Sequence, residues 1–313
     1  PAFVVAHRPF PMVALLFQLL PIFVYFGLGV LLKRVGLADK SHGEFLLRFV
    51  FFVTLPLLIL TTVPTIELSF SKALLPLVNI TINFGCMLVM YLLARKQNLD
   101  IKTTGTAVVN AGIHNNSFMF PFVLAVFGQA GFADAILLDL GNAIWMATVV
   151  YLMAFRFGGE AHDPWTMLRR IMKSPLIWSL VVSVTMALSG IAVPASVLTI
   201  INPLALMTSP LILVALGLFF SMKITNARLA LQIVAARMGI GVAVGAALAL
   251  LLGAEGDAFA VIVTCSAAPI GFNALTYSSL AKLDTDLSAS AVSISILTGL
   301  IGIPLLLFAL TVV

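Results

Sequence analysis

Apolar residues run in stretches of about 20 along the whole chain, each long enough to cross a hydrocarbon core of roughly 30 Å as a helix. Short polar segments separate them. The pattern predicts ten spans near residues 12–32, 43–63, 72–94, 103–128, 132–155, 174–189, 201–222, 227–252, 258–282 and 285–312. A polar linker is expected over 156–173. Backbone groups in lipid must be bonded within the protein, and the strict alternation of a membrane barrel is absent, so the expected fold is an all-α membrane bundle. The first span is too long for a cleaved leader, and its basic residues Lys33 and Arg34 follow it.

Composition sharpens this picture. The chain is 61% hydrophobic and 9% charged, against roughly 25% charged in soluble domains. Its net charge of +5 does not point to nucleic acid, because Lys and Arg sit at span ends and form no basic run with interleaved aromatics. Topology accounts for them. With ten spans, thirteen Lys and Arg fall on one side and only Arg8 and Lys72 on the other. The positive-inside rule makes the basic side cytoplasmic and puts both termini outside. Cys86 and Cys265 fall inside apolar spans without metal-ligand spacing and read as small packing residues. No metal or cofactor is expected.

The two halves repeat. Pro21 and Gly36 around the first span match Pro175 and Gly190 around the sixth at an offset of 154, and Thr54-Leu55-Pro56 matches Thr208-Ser209-Pro210 at the same offset. Five spans per copy is an odd number, so the second copy enters the membrane from the opposite face. The expected architecture is a 5+5 inverted repeat, residues 12–155 and 174–313, joined by the cytoplasmic linker 156–173.

Two spans break the helical pattern at depth. The fourth contains Asn110-Ala111-Gly112-Ile113-His114-Asn115-Asn116-Ser117 ahead of Pro121, and the ninth contains Ser266-Ala267-Ala268-Pro269-Ile270-Gly271-Phe272-Asn273. Asn115 and Pro269 each lie roughly 18 Å into their spans, close to the midplane. Proline removes a backbone donor and clashes with the preceding turn, and Gly and Asn tolerate non-helical backbone. Unwound backbone at this depth is tolerated only around protein or a watered cavity, and the new half-helix N-termini favour an anion such as a carboxylate. The plainer reading is two Pro-kinked helices whose amides bind neighbouring helices. Two breaks on equivalent elements at matching depth favour a site.

Several other residues carry two readings each. Asp139 and Asn142 share a face of the fifth span. Asp139 is a proton- or cation-coupling group, or a paired carboxylate near the outer interface; Asn142 faces the substrate, or packs. His114 couples, or packs as a hydrogen-bonded histidine. Arg237, deep in the eighth span, faces an anion path, pairs with an acid, or snorkels. Asn79 and Asn83 read as interhelical glue, and Thr54 and Thr208 line the cavity or bond their own helices.

At these breaks the chain resembles the auxin efflux carrier family, which includes plant auxin carriers and bacterial malonate and malate permeases. The resemblance spans nearly the whole chain and rests on the Asn-rich run before Pro121, on Pro269 with Asn273, and on Pro56 and Pro210. It implies a scaffold domain and a transport domain, broken fourth and ninth helices crossing at the substrate site, and elevator-type alternating access. It also implies that Asn115 or Asn116, with Asn273, holds a substrate carboxylate beside Pro121, Pro269 and Gly271; Asn110, Asn142 and Thr54 are further candidates. A homodimer through scaffold helices and a bacterial inner-membrane location follow from the same likeness. Related bile-acid sodium symporters carry an acid at the ninth-span crossover; none stands near Pro269, so a proton is expected before sodium as coupling ion. The expected function is secondary transport of a small organic anion. A channel, or a receptor or enzyme using the same pocket, is the competing class. No GxSxG elbow, HExxH motif, Walker loop or paired intramembrane aspartates point to an enzyme.

Overall fold

The computed structural model describes residues 12–65, 70–159, 175–220 and 224–312. Of the linker expected over 156–173, residues 156–158 continue a helix and 160–173 lie outside the described residues, as do Arg8, Arg169, Arg170, Lys173 and Lys223 of the charge pattern.

Every regular element among the described residues is helical, as a chain with few charges and long apolar stretches requires in lipid. Helix α1 spans Met12–Arg34. The next stretch is α2 (Lys40–Phe49), a π turn over Val50–Thr54, and α3 (Leu55–Thr62). Pro56 has no N–H for the turn before it, and the helix widens there, so that Leu55 N–H reaches Val50 O. Helices α4 (Phe70–Ala73), α5 (Leu75–Lys96), α6 (Ile101–Ala111) and α7 (Asn116–Trp145) follow. A π turn over Met146–Val150 leads into α8 (Tyr151–Gly158).

The second half comprises α9 (Pro175–Leu188), α10 (Ala195–Leu206), α11 (Thr208–Phe219), α12 (Ala227–Val234), a π turn over Ala235–Ile240 and α13 (Gly241–Leu251). It ends with α14 (Gly256–Ser266), α15 (Asn273–Leu280) and α16 (Thr285–Val312). The span expected from 201 begins earlier, at Ala195 behind Pro194, with Pro203 in its interior. Six helical stretches among the described residues are long and apolar enough to cross a membrane: 40–65, 71–96, 116–158, 195–219, 227–251 and 285–310. The helices 177–188 and 256–266 are apolar but shorter.

Helix α7 is not one straight rod. Gly128 adopts φ 63°, ψ −157°, a conformation that glycine reaches without a Cβ clash. Asn116 Nδ2 therefore lies 2.7 Å from Asp139 Oδ1, whereas 23 residues of straight helix would separate them by roughly 35 Å. The chain doubles back at Gly128. Phe120 and Phe132, one on each arm, meet edge to face at 5.2 Å.

Polar caps start the helices outside the apolar zone. Asp39 accepts from the Ser41 and His42 amides at the start of α2, and Asp100 accepts from Lys102 and Thr103 at the start of α6. Hydrogen bonds from Ser41 and then His42 hold the Asp39 carboxyl well below the usual range, and those from Thr103 lower Asp100.

The helices pack in two groups that each draw on both halves of the chain. One contains α1, the 40–65 stretch, α9, α10 and α11; the other contains α5 to α8 and α12 to α16. In the first, α1 and α11 cross backbone to backbone at Gly29 and Gly217: a Cβ on Gly29 would run into Val214 O and stand 3.0 Å from Gly217 Cα. Small residues supply such close approach where lipid gives no hydrophobic drive for helix association. The groups meet where α7 packs on α11, α1 and α3.

Candidate functional site

The seam between the groups holds both interruptions. Helix α6 stops at Ala111 and α7 starts at Asn116; α14 stops at Ser266 and α15 starts at Asn273. The two unwound segments cross antiparallel. Asn115 N donates to Pro269 O at 2.8 Å and Gly271 N to Ile113 O at 3.1 Å. Ile270 N reaches Ser295 Oγ at 3.0 Å. Each break thus satisfies the other's backbone, which allows unwound chain this deep. Pro269 has no N–H to leave orphaned.

A chain of neutral amides surrounds the crossing. His114 Nδ1 lies 2.9 Å from Asn83 Oδ1, and Asn79 Nδ2 lies 2.9 Å from His114 Nε2. Asn83 Oδ1 also accepts from Arg237 Nη1 at 2.9 Å, while Asn83 Nδ2 donates to Asn79 Oδ1 at 2.9 Å and to Asn142 Oδ1 at 3.4 Å. One proton assignment fits all of these bonds: His114 is neutral, donating from Nδ1 and accepting at Nε2. Asn142 Nδ2 donates to His114 O at 3.3 Å and to Asp139 Oδ1 at 3.2 Å. Asp139 Oδ1 takes a second amide proton from Asn116 Nδ2 at 2.7 Å.

Next to this network lies a cavity of about 150 Å³. His114, Asn115, Asn116, Asp139, Asn142 and Asn273 border its polar side, and Leu47, Phe51 and Leu216 of the other packing group line it as well. Two polar atoms are buried there without a hydrogen-bond partner, Asn115 Nδ2 and Asn116 Oδ1. Asn115 is the N-cap of α7 and spends Oδ1 on Phe118 N at 3.0 Å, which leaves its amide N–H groups unused. Phe272 borders this cavity and a second one of about 400 Å³ beside Lys40, Thr225 and Asp286, and its ring packs on Phe219 at 4.8 Å. A larger cavity, about 570 Å³, is a mainly apolar cleft along Phe84, Met87, Tyr91 and Trp145, away from the crossing residues.

Of the residues singled out in the sequence, the structure gathers Asn115, Asn116, Asn142, Asn273, Gly271, Asp139 and His114 around one cavity. Asn273 is exposed, and its Nδ2 donates to Met146 Sδ at 3.5 Å. Pro269 sits in the crossing. Pro121 does not: it lies inside α7, six residues past the break, because Gly112–Asn115 is what unwinds. Asn110 is tied into the helix packing, donating to Thr106 O at 2.8 Å and accepting from Ser288 Oγ at 3.0 Å. Thr54 is fully buried and its hydroxyl has no partner. Arg237 lies behind the network, fully buried, neither snorkelling nor paired with an acid. Sequence reasoning left Asn79 and Asn83 outside the site, although their spacing of one helical turn signalled a shared face. Ser117, Ser295 and Phe272 gave no comparable signal.

Membrane-length helices around a cavity with unmet polar groups are what a membrane transport protein requires. The chain belongs to the membrane transport protein family, the auxin efflux carrier group, whose family model matches residues 14–307. It is 27% identical over 292 residues to an uncharacterized transporter of Methanothermobacter thermautotrophicus, covering 91% of this chain and 95% of that protein. It is 26% identical over 288 residues to an uncharacterized transporter of Methanocaldococcus jannaschii, covering 88% and 92%.

Proposed function

We propose that this transporter is a secondary carrier that moves a small carboxylate together with a proton. The carrying observation is the buried, unpartnered Asn115 Nδ2 at the start of α7, facing the cavity. A carboxylate needs donors. Asn115 has both of its amide N–H groups to offer, whereas Asn116 has one of its two committed to Asp139 and turns an unmet carbonyl oxygen to the same place. Asn273 adds a donor at the rim. A cavity of about 150 Å³ is below the roughly 300 Å³ of drug-sized pockets, which favours malonate or malate over a fused-ring auxin.

Asp139 supplies the coupling. Its carboxylate and a substrate anion would repel each other in one small cavity, so anion binding favours a proton on Asp139. Proton and carboxylate then travel together.

The architecture we infer is the ten-span 5+5 inverted repeat, with the first packing group as scaffold and the second as the moving transport domain. Two contacts support it. Asn115 bonds Pro269, and Arg237 bonds Asn83; each pair is separated by 154 residues, the offset of the repeat. A residue that touches its own counterpart lies on the symmetry axis. Alternating access by an elevator movement, a homodimer through the scaffold and a place in the bacterial plasma membrane with both termini outside complete the reading.

The test is uptake of radiolabelled malonate, malate and indole-3-acetate into proteoliposomes under imposed pH, sodium and voltage gradients. Saturable uptake driven by the pH gradient is expected. Flux that never saturates would mean a channel, and no flux across the panel would remove the carrier reading.

A further inference from the structure

We propose that Arg237 is the counter-charge of the carboxylate site, a buried cation behind the crossing that makes the cavity select anions without touching them; this role rests on the carboxylate reading above. A guanidinium buried at membrane depth is expensive, and such groups persist where they serve transport. Arg237 is 0% exposed. Its Nη1 donates to Asn83 Oδ1 and its Nη2 to Ser266 O, both at 2.9 Å, and Nε has no partner. These acceptors are neutral, so the cation is solvated without being cancelled. The ion pairs recorded among the described residues lie elsewhere, at Asp39–His42 and Lys72–Asp134.

Both bonds lead to the site. Ser266 is the last residue of α14, and its carbonyl belongs to the negative end of that helix. Where α6 and α14 end and α7 and α15 begin, two negative and two positive helix ends converge and oppose one another. Arg237 offsets the negative end of α14, which leaves the positive ends in excess. On its other side, Asn83 Oδ1 is shared between Arg237 Nη1 and His114 Nδ1, and His114 borders the cavity. One neutral amide and one neutral imidazole stand between the cation and the substrate space. The fold reserves room for this arrangement: a Cβ on Gly241 would come within 2.7 Å of Arg237 Nη2, and one on Gly245 would collide with the Ser266 side chain. At an effective dielectric of about 20, a unit charge roughly 10 Å away changes anion affinity by about tenfold or more.

The experiment compares wild type, Arg237→Gln, Arg237→Lys and Asn83→Asp in proteoliposomes. It measures uptake of radiolabelled malonate, malate and indole-3-acetate, competition by their uncharged amides, and thermal stability in detergent. Asn83→Asp is the decisive variant because it sets a carboxylate of the same size against the guanidinium and cancels the charge; the two bonds its Nδ2 gives to Asn79 and Asn142 are lost, which the thermal-stability measurement reads separately. Arg237→Gln and Asn83→Asp are each expected to raise the KM for the anion about tenfold and to shrink the preference over the amide, while Arg237→Lys keeps that preference. A packing role predicts instead that Asn83→Asp lowers thermal stability, through the donors withdrawn from Asn79 Oδ1 and Asn142 Oδ1, and that Arg237→Lys is damaging, with the preference for anion over amide unchanged in both; that result overturns the proposal. If Arg237→Gln does not fold, Asn83→Asp and Arg237→Lys still decide. An unchanged anion preference in Asn83→Asp, with wild-type uptake intact, removes the role of Arg237 alone; absence of uptake by wild type removes the carboxylate reading and this role together.

Discussion

The two crossing segments share a backbone course and differ in almost everything else. Residues 110–117 bring three asparagines and a histidine, whereas residues 266–273 bring carbonyls, a proline and a single asparagine. Stepping 154 residues along the chain sets Asn83 against Arg237, His114 against Ala268, Asp139 against Ser293 and Asn142 against Ile296. The first half supplies most of the amides and the acid; the second supplies one cation, one amide at the rim and a backbone partner. A crossing needs only matched N–H and C=O groups, which both halves provide, so side-chain chemistry is free to concentrate on one of them.

The strongest challenge to that division is Asn115→Asp beside Pro269→Ala. Aspartate is as good an N-cap as asparagine, so α7 keeps its start while the cavity loses its donor and gains an acceptor. Malonate uptake is expected to fall about a hundredfold, as removal of a buried charge-assisted donor together with added repulsion implies. Pro269→Ala keeps the carbonyl that receives Asn115 N–H and is expected to cost less than about tenfold. Equal losses would erase the distinction between chemistry and backbone.

Asp139→Asn against Ser293→Ala sharpens the comparison in the matter of coupling. The amide cannot carry a proton across, so accumulation driven by a pH gradient is expected to vanish while exchange of substrate across the membrane stays within about threefold. Ser293→Ala should accumulate substrate as wild type does. Persistent pH-driven accumulation by Asp139→Asn would take the proton away from Asp139. Asn273→Ala tests the one amide the second half contributes: it is exposed and weakly held, and its loss is expected to reduce uptake about tenfold with the protein still folded.

The positions of the helices and of both breaks were legible because apolar length, glycine and proline act locally. Gly112 to Asn115 and Pro269 stand where the chain unwinds. The direction in which each side chain points was not legible, because a helix apolar on all sides has no stripe to orient it. Hence Asn110 and Asn115, five residues apart, read as equals, although one ties α6 to α16 and the other faces the cavity. Arg237 shows the same limit. Its depth followed from the sequence, but its acceptors, a side chain 154 residues away and the end of α14, depend on tertiary packing.

Thr54 and Thr208 are the counterexample in which the halves agree. Both hydroxyls are fully buried and both lack a partner. An unmet buried hydroxyl stabilises nothing, and replacing it by a methyl removes its desolvation cost. Thr54→Val and Thr208→Val are therefore each expected to leave thermal stability unchanged or raise it by about 1 kcal/mol, with uptake within about twofold of wild type. If Thr54→Val alone lost transport, its hydroxyl would have to meet the substrate or the crossing at another stage of the cycle, and the chemistry of the first half would extend into the scaffold.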